Sequence, residues 1–438
     1  MSFLTKLRMY ALAAAATIAA VYPAATVAAV ASRVHELMVG LLFGPQNPLQ
    51  AGRVNGALTL TSLIPTIYAA MDVVSREMTG FIRAVSTDAA ATRAAVGETI
   101  MSPVVGAMAA ENLTASNVPA DTPNQTIGNV PMTISKARSV PFGITGEEAR
   151  GLQNAGTLDT INRDRIAQAL RTLGNEVEND LAALYAKASR AFGTAAGTPF
   201  GTGGDLSDFA AMRRMLTDNG APQSDLHAVL SNTNVERIRG KQSSLFRVNE
   251  AGSDELLRTG NMGVVQSMAL HESAQIYRPA VGTGSAYTSN TAGYAVGATN
   301  ITLITGANTI LAGDIVTFAG DANQYVVKTG LAAPGVLVLA EPGLQQALPA
   351  SAVALSIVAQ TRRSMFFHRS AIQLLTRAPA MPPGGDMADD VMVITDPVTG
   401  IGYEFVIYRG KRQIRYEVNL AWGTEMIAPR HCGLLIGA

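Results

Sequence analysis

Between Thr157 and Gly193 the chain reads TLDTINRDRIAQALRTLGNEVENDLAALYAKASRAFG. Ile166, Leu170, Leu173, Val177, Leu181, Leu184 and Ala188 step by four and three, the spacing that stacks side chains on one face of an α-helix. Asp164, Arg171, Glu178, Asp180 and Lys187 fill other faces. Thr157 or Asp159 can accept a bond from the first free backbone N–H groups, and Gly193 supplies a left-handed stop. The spacing therefore predicts a single rod, roughly 50 Å long at about 1.5 Å per residue. With one apolar stripe, such a rod suits a strut that carries a sheet on one side and faces solvent or further copies on the other.

At 438 residues the chain can hold two or three domains. Its apolar fraction is 48% but only 5% is aromatic, so Ala, Val and Leu carry the packing. The 33 basic and 33 acidic residues cancel, which argues against a dedicated nucleic-acid or membrane-surface binder and lowers the repulsion between copies. Cys432 is the only cysteine, so there is no intramolecular disulfide and no CxxC metal or redox site. His35, His227, His271, His368 and His431 are scattered along the sequence, and His431 beside Cys432 lacks the spacing by which two ligands reach one metal.

Upstream of the rod, 98–146 changes character. Thr, Ser, Asn, Gly and Pro punctuate short β-prone runs at Glu98–Val105 and Val130–Ile144, with no apolar set large enough for a core. An isolated two-stranded hairpin is marginal in water, so a long one must lie along another surface: its own body in a monomer, a neighbour in an assembly. Before it, Leu58, Leu60, Leu63, Ile64, Ile67, Met71, Val74, Met78 and Phe81 recur mostly at helical spacing, with Pro65 near the start and Gly80 near the end, as in an amphipathic arm helix. Residues 1–50 admit several readings. Lys6 and Arg8 precede a charge-free run from Met9 to Ala31, and Ala29-Val30-Ala31 before Ser32 fits a cleaved export signal. The run is also long enough to span a bilayer, although Pro23 and its alanines make it a poor membrane helix. An N-terminal arm, or an over-extended start before a domain beginning near Ala51, is the remaining reading.

Downstream, Thr194–Gly204 reads as a linker; its GTGG at Gly201–Gly204 is not followed by Lys-Ser/Thr and has no strand ahead of it, unlike a phosphate loop. Asp205–Asp218 and Asn234–Gly240 read as helices, and Leu226–Leu230 and Val264–Leu270 as β runs; His271-Glu272 lacks the second histidine of a zinc-protease helix. Residues 287–358 carry almost no charge. Ala295–Thr305, Asp314–Ala319, Gln324–Thr329, Val336–Ala340 and Ala352–Val358 are strand-like runs between turns, a spacing that predicts a small barrel or sandwich inserted into another domain. Met365–Thr376 then alternates, Ala378–Gly385 is a Pro/Gly break, and Tyr403–Tyr408 faces Ile414–Leu420 as a hairpin across Arg409-Gly410-Lys411-Arg412. Arg409, Lys411, Arg412 and Arg415 could touch phosphate or simply be solvated, and Asp386, Asp389 and Asp390 could chelate a cation or form a solvated acidic loop.

In this order the elements resemble the HK97-like major capsid family, and its P22-type coat proteins in particular. Gly97-Glu98-Thr99-Ile100-Met101-Ser102-Pro103-Val104 resembles the strand that opens that family's E-loop, and Thr157–Gly193 its spine helix. Ala312-Gly313-Asp314-Ile315-Val316-Thr317-Phe318-Ala319-Gly320 resembles a strand of the P22-type insertion domain, and Ile414–Gly437 the C-terminal segment. The resemblance covers 52–438; residues 1–50 have no counterpart, and a cleaved export signal there would contradict assembly in a host cytoplasm.

What the resemblance implies is an α+β, HK97-like fold divided as 1–50 apolar extension, 51–97 arm helix, 98–150 E-loop hairpin, 151–204 spine helix and linker, 205–286 axial and peripheral α/β domain, 287–358 inserted β domain and 359–438 closing segment. It further implies a non-enzymatic major capsid protein of a tailed double-stranded DNA bacteriophage, arranged as hexamers and pentamers of an icosahedral shell in the virion. The implied partners are a scaffolding protein, a portal protein, a cement protein and non-specifically held DNA, with no membrane, cofactor or metal. The hairpin and the arm are expected to pack across subunits. Two other readings stay open: a secreted β-rich adhesin-like protein, motivated by residues 1–32 and by sequons at Asn112, Asn124 and Asn300, and an encapsulin-like nanocompartment shell. No Ser/His/Asp set or nucleotide loop can be assembled for an enzyme.

Overall fold

The computed structural model describes residues 60–77, 80–104, 128–242, 262–276 and 278–437. The expectations for residues 1–50, the hairpin tip and the sequons at Asn112 and Asn124 lie outside them.

Among the described residues the chain opens with α1 (Leu60–Glu77) and the one-turn α2 (Phe81–Ala84), then β1 (Ser86–Ala94). β2 (Thr99–Val104) and β3 (Gly128–Thr133) follow, and β4 (Lys136–Thr145) leads into α3 (Gly146–Asn154) and α4 (Leu158–Ala183). β5 (Arg190–Gly193), α5 (Ser207–Asp218), β6 (Leu226–Ser231), α6 (Asn232–Lys241), β7 (Val264–Val265) and β8 (Met268–Ser273) build the middle. β9 (Ser285–Ser289), β10 (Asn300–Ala307), β11 (Ile315–Phe318), β12 (Gln324–Thr329), β13 (Val336–Leu339) and β14 (Leu355–Ile357) come next. β15 (Arg362–His368), β16 (Ile372–Pro379), β17 (Asp390–Thr395), β18 (Gly402–Gly410), β19 (Gln413–Met426) and β20 (Cys432–Gly437) close the chain.

The first sheet runs β1-β16-β19-β18-β17, with β4 added along β19. α4 lies across it. Ile166, Leu170, Leu173, Val177 and Leu181 on the helix pack with Leu374, Phe405, Ile407, Val418, Leu420 and Trp422 beneath it. The predicted rod is shorter than expected: the helix stops at Ala183, a 3-10 turn covers Leu184–Lys187, and the chain straightens into β5. The stop follows from what β5 does, since it pairs in parallel with β20 and antiparallel with β12. Gly193 has φ +109, but its role is close approach, because a Cβ there would collide with the Ile436 carbonyl. Thr157 sits at the N-cap of α4 without a side-chain bond; the reciprocal cap belongs to α3, where Thr145 Oγ1 accepts from Glu148 N and Glu148 Oε2 accepts from Thr145 N.

Two further expectations need correction. Residues 136–145 do not reach for a neighbour: β4 pairs residue by residue with β19, from Gln413↔Thr145 to Trp422↔Lys136. Likewise α1 buries Ile67, Ala70, Met71 and Val74 in the same core as α4, so this part of the arm packs on its own chain. Apolar periodicity specifies a buried face without specifying what covers it.

The second sheet runs β7-β8-β6-β15-β20-β5-β12-β13-β10-β9. Its central strands are buried on both faces, and side chains alternate between two cores: Met365, Phe367, Leu434 and Ile436 face the α4 core, while Phe366 and Leu435 face Phe209, Met212 and Leu216 of α5. The alternating stretch Met365–Thr376 is not one strand, for a 3-10 turn at Arg369–Ala371 divides it between the two sheets. Val264–Leu270 is also divided, by a two-residue turn with Gln266 and Ser267 at φ +48 and +67.

β9 to β14 close into a small barrel, the last contact being the Thr288↔Ala354 bridge. Tyr287, Ile301, Leu303, Val316, Phe318, Tyr325, Val327, Leu337 and Leu339 fill it. On β12 the alternation splits allegiance, because Tyr325 and Val327 point into the barrel while Val326 joins the α4 core.

Gly423 marks the tightest crossing in the first sheet. A Cβ at this position would collide with the Thr133 carbonyl as the chain passes from β3 to β4. Gly423→Ala is expected to cost about 1–3 kcal/mol, the usual penalty of overpacking against backbone, read as a lower denaturation midpoint.

Candidate assembly surface

The feature that leaves the body is the β2–β3 ribbon, a two-stranded sheet paired from Thr99↔Thr133 to Val104↔Gly128. Its root is fixed. Gly97 N donates to Ile134 O at 2.9 Å, Ile134 N donates to Glu98 O at 3.0 Å, and Met132 and Ile134 pack with Ala94, Leu375 and Ala421. Beyond the root the ribbon has little of its own. Met101 is 58% exposed, and the ribbon's side-chain bond to the first sheet is Ser102 Oγ donating to Gln373 Oε1 at 3.4 Å. Pro103 and Pro131 have no N–H to offer, which thins the ladder and blunts the edge.

Two more surfaces share this character. The outer face of α1 shows Tyr68 and Val73, each 45% exposed. β17 is the last strand of the first sheet, with Val393 exposed along it. An exposed strand edge and a half-apolar helix face are surfaces another chain can complete.

Asp386 Oδ2 accepts from the Tyr408 hydroxyl at 2.6 Å, which holds its carboxyl below the usual range; Asp389 pairs with Arg409 at 2.8 Å, and Asp390 Oδ2 accepts from Leu60 N at 2.7 Å. The three carboxylates thus serve three separate structural contacts. Of the basic group, Arg409 is paired as above, Arg415 pairs with Glu417 at 2.6 Å, and Lys411 and Arg412 form the exposed β18–β19 turn, with Arg412 at φ +60. The Gly201–Gly204 loop does have a strand ahead of it, β5. Its backbone is held by the protein's own side chains: Gln242 Nε2 donates to Phe200 O and Thr202 O, and Asp208 Oδ2 accepts from Phe200 N.

The histidines are not scattered in space. His227, His271, His368 and His431 gather at one corner of the second sheet, where His227 Nδ1 lies 3.0 Å from His271 Nε2 and the His368 and His431 rings are 6.3 Å apart. His35 lies outside the described residues. Sequence reading also passed over Glu178 and Asp180 of α4 as ordinary polar positions. Glu178 is 6% exposed and accepts from Phe81 N, Ile82 N and Ser273 Oγ at 2.9, 2.8 and 3.1 Å; Asp180 accepts from Trp422 Nε1 and Lys136 Nζ. The available signal was Glu178 next to Val177, four residues after Gly174 and eight after Leu170, on the buried side of the helix.

Among the described residues, no helix is long and apolar enough to cross a membrane. No family model matches the chain, and no curated protein is similar to it. Among solved structures, the chain is similar to one of Mycobacterium phage Che8, at 12% identity and a TM-score of 0.41 over 77% of this chain and 84% of that one. It is similar to the capsid structure of the cyanophage P-SCSP1u at 10% identity and 0.41, over 82% and 88%. It is also similar to the virus-like particle from Pyrococcus furiosus at 6% identity and 0.40, over 85% and 98%.

Proposed function

We propose that this chain is the repeating tile of a closed protein shell, the major capsid protein of an HK97-like, P22-type particle. The observation that carries this reading is the β2–β3 ribbon: a rooted, two-stranded projection with an exposed Met101 and no core of its own. Such a ribbon gains by lying on a neighbour. Several modest contacts of this kind per subunit add up through effective concentration, and a repeated contact that closes by symmetry gives a shell. In the finer form of the proposal the shell is icosahedral, built of hexamers and pentamers on a scaffolding protein around a portal, encloses the double-stranded DNA of a tailed phage, and forms in the host cytoplasm. The balanced charge suits a wall that holds packaged DNA without strong adhesion.

Sedimentation velocity and electron microscopy of the full chain, expressed alone and with its scaffold partner, test the reading. Closed particles are expected, and a monodisperse monomer under all conditions would overturn it. Met101→Asp separates folding from assembly: subunit stability should stay within about 0.5 kcal/mol, as for an exposed site, while particle yield drops sharply.

A further inference from the structure

The corner where four histidines meet is wired as a relay. Asp225 precedes β6 and takes up φ +54, and its Oδ1 accepts from His227 Nε2 at 2.9 Å. That bond places the His227 proton on Nε2, so Nδ1 carries a lone pair and accepts from His271 Nε2–H at 3.0 Å. His227 is on β6 and His271 on the parallel neighbour β8, so this bond ties the two strands through their side chains. The same ring lies against Phe367 of β15 at 6.5 Å, and Phe367 stacks on Phe81 of α2 at 6.4 Å with the planes 8° apart. The relay is therefore continuous with the turn that launches β1.

Charged groups surround it, including Arg83 of α2, whose backbone carbonyl accepts from Arg369. The residue before β6 brings Asp225; β8 brings His271 and Glu272, the latter paired with Arg239 of α6; the end of β15 brings His368 and the 3-10 turn after it Arg369, also 3.5 Å from Asp225; the approach to β20 brings Arg430, paired with Glu341, and His431. One added proton can be held within the pair, since either ring can then donate to the other, but a second leaves His227 Nδ1–H and His271 Nε2–H facing one another, with Arg369 and His368 close by.

We propose that this corner is an acid-sensing latch, in which charging both rings of the His227–His271 pair sets two N–H groups face to face, breaks the bond between them and releases the ends of β6 and β8 together with the α2 turn stacked on Phe367. Burial, Arg369 and His368 lower the proton affinity of His227, against the pull of Asp225. The sign follows. A base whose folded affinity is depressed contributes its full stability above the ordinary histidine range, and that contribution is lost as pH falls through the range. This device is independent of the shell reading.

The test is hydrogen exchange by mass spectrometry on the purified full chain at about pH 7.5 and about pH 5.5, corrected for intrinsic rates, which spans the ordinary histidine titration. Peptides covering β6, β8 and α2 should lose protection by about tenfold, while β16 and β19 keep theirs. His271→Gln still donates to His227 Nδ1 at neutral pH and, with its amide rotated, accepts from that nitrogen once it is protonated, so it should flatten the response. A second readout needs no variant: long-range nitrogen–proton spectra of histidine-labelled protein should show His227 with its proton on Nε2 at neutral pH and the two rings titrating together. Unchanged protection across the range, or two rings titrating independently with ordinary affinities, would overturn the latch.

Discussion

Trp422→Ala is expected to destabilise the chain by about 3–5 kcal/mol, near the top of the range for a single core substitution. The ring is fully buried between β19 and α4. Its Nε1–H donates to Asp180 Oδ2 at 2.8 Å, the other oxygen of Asp180 takes Lys136 Nζ at 2.6 Å, and the ammonium lies 6.0 Å from the ring centroid. Truncation would open a cavity under the helix and leave a carboxylate that has lost half its support. Trp422→Phe fills most of that space but offers no N–H, so about 1–2 kcal/mol is expected. Circular dichroism through a denaturant series measures both, since the variants lack the chain's only tryptophan. Equal losses for the two would mean that the bond to Asp180 matters and the ring volume does not.

The second large effect is at Glu178. Its carboxylate closes three otherwise unmet donors from two other parts of the chain, the N-terminal turn of α2 and the end of β8. Gly80 is the residue that lets it in, because a Cβ there would collide with Glu178 Oε2. Glu178→Ala should cost about 3–5 kcal/mol, since it orphans two backbone N–H groups and the Ser273 hydroxyl inside the protein. Glu178→Gln keeps one accepting oxygen but turns an N–H₂ toward a backbone N–H, for about half that loss. Burial pushes the Glu178 carboxyl above its usual range, and the Ile82, Phe81 and Ser273 donors pull against it. With a raised folded value, the contribution to stability is complete below the ordinary glutamic acid range and declines as pH climbs through the folded value. Glu178→Gln should remove that slope. A pH series of unfolding midpoints in which wild type and Glu178→Gln run parallel would contradict this.

How far the sequence could be read depended on the range of the interaction. The stripe from Ile166 to Ala188 was correctly identified as buried, every member of it, yet the helix carrying it ends at Ala183. The last two positions stay buried after the chain leaves the helix, and a four-residue strand covered on both sides shows no alternation that would have given it away. The barrel strands β10 to β14 were legible because each is short, apolar and bounded by turns, whereas β9, Ser285–Ser289, was not read as a strand. What was not legible was contact at long separation. The partners of His227 and His271 lie 44 residues apart, and Trp422 finds Asp180 across 242. The arm's apolar face was visible, but the surface that receives it is assembled from α4 and strands near the other end of the chain.

The barrel is joined to the rest by more than its two chain crossings. β12 hydrogen-bonds along β5 through Gln324↔Ala191 and Tyr325↔Arg190, Arg190 reaches Asn323 Oδ1 at 2.6 Å, and Val326 sits in the α4 core. Cutting out 285–357 and splicing the stumps would therefore strip a graft from its stock, leaving Arg190–Gly193 as a raw margin open to any passing strand. The trimmed protein should clump where the intact one stays dispersed, however neatly the severed ends are rejoined.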